Sequence, residues 1–334
     1  TKNLARVARI GFWCEIVSVI ALGIYLLIFH RTQPFSVIFD SMGVMAHDGS
    51  YTTAFMSAAL MGLFMFFGFE ACGNVAEEVQ NPGKKIPVAM ILSIVFGAIS
   101  AIISVLGYLL SSPNLLNIVN GKVADPIPAI LHEALGETGA TVFIVIAIIA
   151  MLSCILSLQA ALSRLIFSFS RDKMLPGSEW MSKISKNSVP DNAMIVSCLL
   201  PVIVCVCVYF QPDNLARITA FAVIGIYISF QMVVLAAMRQ RLNGWKPAGE
   251  WTIGGWGTLV NGLALAYGVA AIWLLAQPAE GSTFLDRWTV LIGLAIVLGT
   301  GLLYMAIARP FGRSSAPEND AIAYADELKA RESY

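Results

Sequence analysis

The chain has 334 residues, of which 57% are hydrophobic and only 13% charged, with a formal net charge of zero. A soluble globular domain carries roughly twice that charge, so the composition excludes an ordinary soluble fold and points to a bilayer as solvent. The basic and acidic residues balance without a polybasic block, which excludes a nucleic-acid partner.

The apolar residues fall into eight runs of about twenty, the length that crosses a hydrocarbon core of roughly 30 Å as a helix. In chain order they are Ile10 to Phe29, Ala54 to Ala76, Ile86 to Leu110, Ala140 to Leu162, Ala193 to Phe210, Ile218 to Met238, Trp256 to Ala276 and Trp288 to Ala308. None alternates with period two, so the expectation is an all-α membrane protein with eight transmembrane helices and no barrel. Of the 21 lysines and arginines, all but Arg31, Lys122, Arg217 and Arg287 fall on the side of the N-terminus. Basic residues collect in cytoplasmic loops, so both ends are expected in the cytoplasm of an integral protein of the plasma, or inner, membrane.

Two long outer loops, His30 to Thr53 and Ser111 to Glu137, separate early runs, and a short helix is expected over Pro128 to Leu135. The segment Arg171 to Asn192 reads as an ordered cytoplasmic linker. A transmembrane domain is expected over 1–309 and a polar cytoplasmic tail over 310–334, helical in part from Asp320 to Arg331. All six cysteines (Cys14, Cys72, Cys154, Cys198, Cys205, Cys207) lie inside apolar runs, so neither a disulfide nor a metal site is expected, and no cofactor. The three histidines, His30, His47 and His132, lie in outer loops without a nucleophile beside them, which argues against an enzyme.

The second run carries the chemistry. It reads Phe64-Met65-Phe66-Phe67-Gly68-Phe69-Glu70-Ala71-Cys72-Gly73-Asn74, a carboxylate between two glycines near mid-membrane. An intramembrane carboxylate costs roughly 2 kcal/mol or more and therefore faces protein or water. Broken helices bind solute through glycine and freed backbone groups. The alternative is a close helix crossing at Gly68 and Gly73 with a structural Glu70. Next comes Glu77-Glu78-Val79-Gln80-Asn81-Pro82-Gly83-Lys84-Lys85-Ile86-Pro87, and further on Leu162-Ser163-Arg164 and Arg171-Asp172-Lys173-Met174-Leu175-Pro176.

These two stretches resemble, in register, the sixth helix with its following loop and the end of the eighth helix of the amino acid, polyamine and organocation superfamily. The resemblance implies a partial five-plus-five inverted-repeat fold and assigns the eight runs to helices five to twelve. The chain opens at Thr1 on a basic stretch and is expected to lack the family's first four helices. Carried over, backbone carbonyls around Phe64, Phe67 and Gly68, with Phe69, Glu70 and Ala71, would hold a substrate ammonium, and Phe64 would close over it as a cation–π partner. Ordinary packing of Phe64, Phe66 and Phe67 is the competing reading.

In the first run Glu15 stands where several bacterial members place a lysine. Glu15, Gly68-Phe69-Glu70 and Ser168-Phe169-Ser170-Arg171-Asp172 resemble the amino acid and choline branch most closely. Burial disfavours a carboxylate's charge, so Glu15 and Glu70 are candidate proton carriers, unless Glu15 is paired with a nearby arginine. Ser153 and Ser157 share a helix face and either line the pathway or pack helices closely. Arg164 and Arg171 are expected to pair with Glu77, Glu78 or Asp172, as a gate or as a topological anchor.

The function the resemblance implies is secondary active transport of an amino acid or related small amine by alternating access, coupled to H+ or Na+ or driven by exchange. No nucleotide-binding loop is present to drive it. A transporter-like nutrient sensor, or a carrier of choline, a polyamine or a nucleobase, stays open.

Overall fold

The computed structural model describes residues 2–43, 50–123, 125–186, 189–210, 214–245, 249–277 and 284–315. The tail helix expected over Asp320 to Arg331, His47 and the side chain of Cys207 lie outside the described residues. Among the described residues the chain is helical with no strand. In chain order the helices are α1 (Lys2–Glu15), α2 (Leu22–Phe29), α3 (Tyr51–Met65), α4 (Ala71–Asn74), α5 (Pro82–Ser111) and α6 (Leu115–Val119). They continue as α7 (Pro126–Arg171), α8 (Ser178–Met181), α9 (Asp191–Phe210), α10 (Asn214–Leu242), α11 (Gly257–Leu275) and α12 (Phe284–Ala308).

Among the described residues, seven helical stretches are long and apolar enough to span a bilayer. The second expected run, Ala54 to Ala76, is interrupted: α3 stops after 15 residues and α4 is a single turn. The first span is continuous through a π turn, Ile16–Ala21, that joins α1 to α2. The short helix expected over Pro128 to Leu135 forms from Pro126 onward and runs into α7 across Gly136, whose φ of 69° and ψ of 177° kink the rod. Glycine takes that left-handed φ without a Cβ penalty.

The chain divides into two compact units. The first comprises Thr1–Ala71 and Ala89–Leu158. Its core is Leu22, Leu26, Leu131 and Ala140, flanked by Tyr108 and Phe143. Glycines set its closest approaches, since bulk separates helices while small residues let backbones meet. A Cβ on Gly107 would stand 2.9 Å from the Gly23 carbonyl oxygen, and one on Gly11 would overlap the Ser153 side chain. Outside the spans, the Thr32 and Gln33 amides both donate to the Leu110 carbonyl, at 2.8 and 2.9 Å. They satisfy an acceptor that the end of α5 leaves open.

The second unit comprises Cys72–Val88 and Gln159–Tyr334. Here α10 packs along α11 and against α12. Gln231 fills the space over Gly268 and donates to the Ala264 carbonyl at 3.4 Å, and the Tyr227 and Tyr267 hydroxyls meet at 3.3 Å. Gln159 reaches α9, where its Nε2 donates to Ser197 Oγ at 2.7 Å. Proline opens α5, where a missing N–H costs nothing. Pro87, further along, cannot donate to the carbonyl four residues back at Gly83. That carbonyl is where the main chain of Gly249 comes close, a Cβ on Gly249 standing 3.0 Å from it.

Candidate functional site: an interrupted helix and a clasped loop

Two clusters carry the sequence-predicted residues, one in each unit. In the first unit α3 ends at Met65 because Phe66 leaves helical geometry (φ −112°, ψ 37°), and Gly68 then takes a φ of 99°. Only glycine adopts that conformation cheaply. Ending a helix frees its last four carbonyls from intrahelical partners, so the stop at Met65 turns backbone acceptors toward whatever lies beside the break. Glu70 folds back on this turn. Its Oε2 accepts the Gly68 N–H at 2.8 Å, while the Gly68 carbonyl accepts the Ala71 N–H at 3.1 Å. Phe64, Phe69 and Glu70 are half-buried and Phe67 is exposed.

The other first-unit candidates, Glu15, Ser153 and Ser157, lie on α1 and α7. Ser153 is buried, and its hydroxyl donates to the Val7 carbonyl at 3.4 Å. Ser157 donates to the Ser153 carbonyl of its own helix at 2.9 Å. Both serines thus spend their hydroxyls on backbone, which is the close-packing arrangement. Glu15 is exposed and forms no ion pair with an arginine among the described residues.

In the second unit the loop between α4 and α5 is held by carboxylates on arginines from the far end of α7. Arg164 grips Glu78 through two nitrogens, Nε on Oε1 and Nη2 on Oε2, the second at 3.0 Å. Arg171 grips Glu77 in the same forked way, at 3.1 and 3.0 Å, and its Nε reaches Asp172 at 3.3 Å. Planar forks of this kind are the strongest carboxylate pairs. The hydrogen bond from Arg164, opposed in part by burial, holds the Glu78 carboxyl below the usual carboxylate range. Asn81 takes a left-handed φ of 57° ahead of Pro82.

Sequence reasoning named these residues but missed two that join them. Glu250, in the connection from α10 to α11, accepts from Asn81 Nδ2 at 3.4 Å and lies 3.9 Å from Lys84. Ser315, beyond α12, donates to the Arg171 carbonyl at 3.0 Å. Both lie more than 140 residues from their partners, and no local pattern marks them.

Among the described residues, seven spanning helices with one further apolar run broken at a glycine and a carboxylate define an all-helical polytopic membrane protein. The chain belongs to the amino acid permease family, whose sequence model matches residues 7–306. An uncharacterized amino-acid permease of Schizosaccharomyces pombe is 27% identical over 250 residues, covering 73% of this chain and 45% of that protein. The thiamine transporter thi9 of the same yeast is 28% identical over 217 residues, 63% of this chain and 36% of that protein. The aromatic amino acid transport protein AroP of Escherichia coli is 26% identical over 320 residues, 87% of this chain and 66% of that protein. The chain thus spans less than half the length of the two yeast relatives.

Proposed function

We propose that the protein is a secondary active transporter that carries an amino acid or related small amine across the membrane by alternating access. The observation that carries this reading is the interruption of an apolar helix at Phe66 to Glu70 in a chain of the amino acid permease family. A broken helix offers backbone acceptors at membrane depth, which hydrocarbon alone does not tolerate and a solute cavity uses. In this reading the carbonyls around Phe64, Phe67 and Gly68 receive the substrate ammonium, with Phe69 and Ala71 beside them, and Phe64 closes over it. Glu70 couples solute binding to the shape of the break through its bond to Gly68. Glu15 is the second candidate proton carrier, and Ser153 and Ser157 hold the helix next to it. An ion gradient, of H+ or Na+, or exchange supplies the energy.

The loop from Glu77 to Pro87 serves as an inner gate in this reading. The forks from Arg164 and Arg171 fasten it, and Asp172 backs Arg171. The permease domain covers 1–309 and the segment 310–334 is its tail. Both ends face the cytoplasm from the plasma, or inner, membrane, as the distribution of basic residues supports. The thiamine transporter among the relatives favours keeping a larger organic cation as a second substrate class.

The test is uptake of labelled amino acids, choline, a polyamine and thiamine into proteoliposomes holding the whole protein, with and without proton and sodium gradients. Gradient-dependent uptake of an amino acid supports the proposal. Uptake of thiamine alone moves the substrate class, and substrate binding without uptake under any gradient favours a sensor.

A further inference from the structure

Arg241 stands apart from the other arginines of the second unit. Arg164 and Arg171 are each matched by a carboxylate. Arg241, in the last turn of α10, has none: its guanidinium forms no hydrogen bond or ion pair with any described residue, and its Nε is buried without a partner. The group is folded over Gly257 at the start of α11. A Cβ there would lie 2.7 Å from Cζ and 2.9 Å from Nη2, so only glycine leaves it room. A guanidinium does not give up its proton, and taking a charge out of water without a counter-charge is costly. The contact of α10 with α11 therefore holds a half-buried guanidinium, its Nε shielded from water, with no carboxylate partner among the described residues.

Its position says which anion is at hand. Arg241 lies where one membrane span, Ile218–Leu242, ends and the next, Gly254–Leu275, begins. The connection between them exposes Trp245, Trp251 and Trp256, and Arg239 is exposed two residues before Arg241. Tryptophan concentrates at the level of lipid head groups. Basic pockets between transmembrane helices at that level bind lipid phosphates, and a guanidinium fork matches a phosphodiester in two hydrogen bonds.

We propose that Arg241, with Arg239 and the tryptophans of the α10–α11 connection, forms a binding site for the head group of an anionic phospholipid, whose phosphate sits on the Arg241 guanidinium. The site depends on the membrane spans and not on the transport reading.

The test uses the purified protein in nanodiscs that contain phosphatidylglycerol in phosphatidylcholine, with bound lipid counted by native mass spectrometry. Wild-type protein retains phosphatidylglycerol selectively, and Arg241→Gln lowers its occupancy about fivefold at equal mole fraction. Arg241→Lys, which keeps the charge without the fork, falls between them, and Arg313→Gln, at another exposed arginine, leaves occupancy unchanged. A photoactivatable phosphatidylglycerol on the wild-type protein should label the peptide containing 239–257, a readout that needs no variant to fold. Equal retention by Arg241→Gln, or labelling spread evenly over other helix ends, overturns the site. Inorganic phosphate that stabilises the protein as well as phosphatidylglycerol does, in phosphatidylcholine-only discs, overturns the lipid as its occupant.

Discussion

Replacing Glu70 separates a structural carboxylate from a coupling one. In the structure its Oε2 accepts the Gly68 N–H at 2.8 Å inside the helix break. A hydrogen bond to a charged group contributes about 1.5–3 kcal/mol, and because Glu70 is half-buried the lower end applies. Glu70→Ala removes the acceptor and leaves the Gly68 N–H open. The expected loss is about 1–2 kcal/mol, a fall of a few degrees in melting temperature for a chain of this size. Glu70→Gln keeps an oxygen that can accept the same N–H, so its melting temperature should stay close to the wild type. Thermal unfolding in nanodiscs, followed by the fluorescence of the seven tryptophans, reads the first effect. Gradient-driven uptake reads the second: a coupling role predicts that Glu70→Gln folds normally and loses its dependence on the proton gradient. An alanine variant that melts with the wild type refutes the capping assignment. A glutamine variant with unchanged, still proton-dependent uptake confines Glu70 to structure.

Charge exchange tests the clasp. Arg164→Glu and Glu78→Arg should each loosen the loop, and the double variant should restore at least part of the loss, with a coupling of about 1 kcal/mol or less for so exposed a pair; a double-mutant cycle on melting temperature without coupling would contradict the forked pairing. The same pair has a pH signature. Because the native Glu78 carboxyl is held below its ordinary range, its stabilisation is complete above the unfolded-state value and fades as pH falls through the lowered one, so melting temperatures between pH 7 and pH 3 should converge on those of Glu78→Gln at the acid end. Divergence of the two toward acid would reverse the assigned sign. Gly268→Ala should cost about 1–3 kcal/mol, because its methyl group overlaps Gln231. A smaller residue at 231, Gln231→Ala, should recover part of it in a cycle measured by thermal unfolding.

Features with a local cause were legible in the sequence. Seven of the expected runs became spanning helices because twenty apolar residues in lipid have few alternatives. The broken second run could be read from Gly68 and Glu70, since a glycine and an intramembrane acid together mark a departure from a plain helix. The arginine and glutamate partners were foreseen as a set, and which arginine takes which glutamate was not. Pairing is fixed by the approach of the loop to α7 across 86 and 94 residues. The serines show the same limit. Their spacing on α7 announced a shared face, but what that face meets depends on Gly11 arriving from the first helix. Glu250, Ser315 and the half-buried guanidinium of Arg241 left no mark in composition or period, because each acquires its meaning from a distant backbone.

The π turn at Ile16–Ala21 works as a register adjustment in a helix that must serve one seam along its whole length. An uninterrupted α-helix advances about 100° per residue, which would carry Gly23 and Leu26 away from the side occupied by Val7 and Gly11. The wider turn absorbs about one extra residue and winds that rotation back. Val7 and Gly11 can then meet Ser153 while Gly23 meets Ile103 and Gly107. Deleting a single residue from 16–21 would close the π turn into plain α-helix and leave both half-helices on the same seam, whereas inserting one there would turn one half away from it.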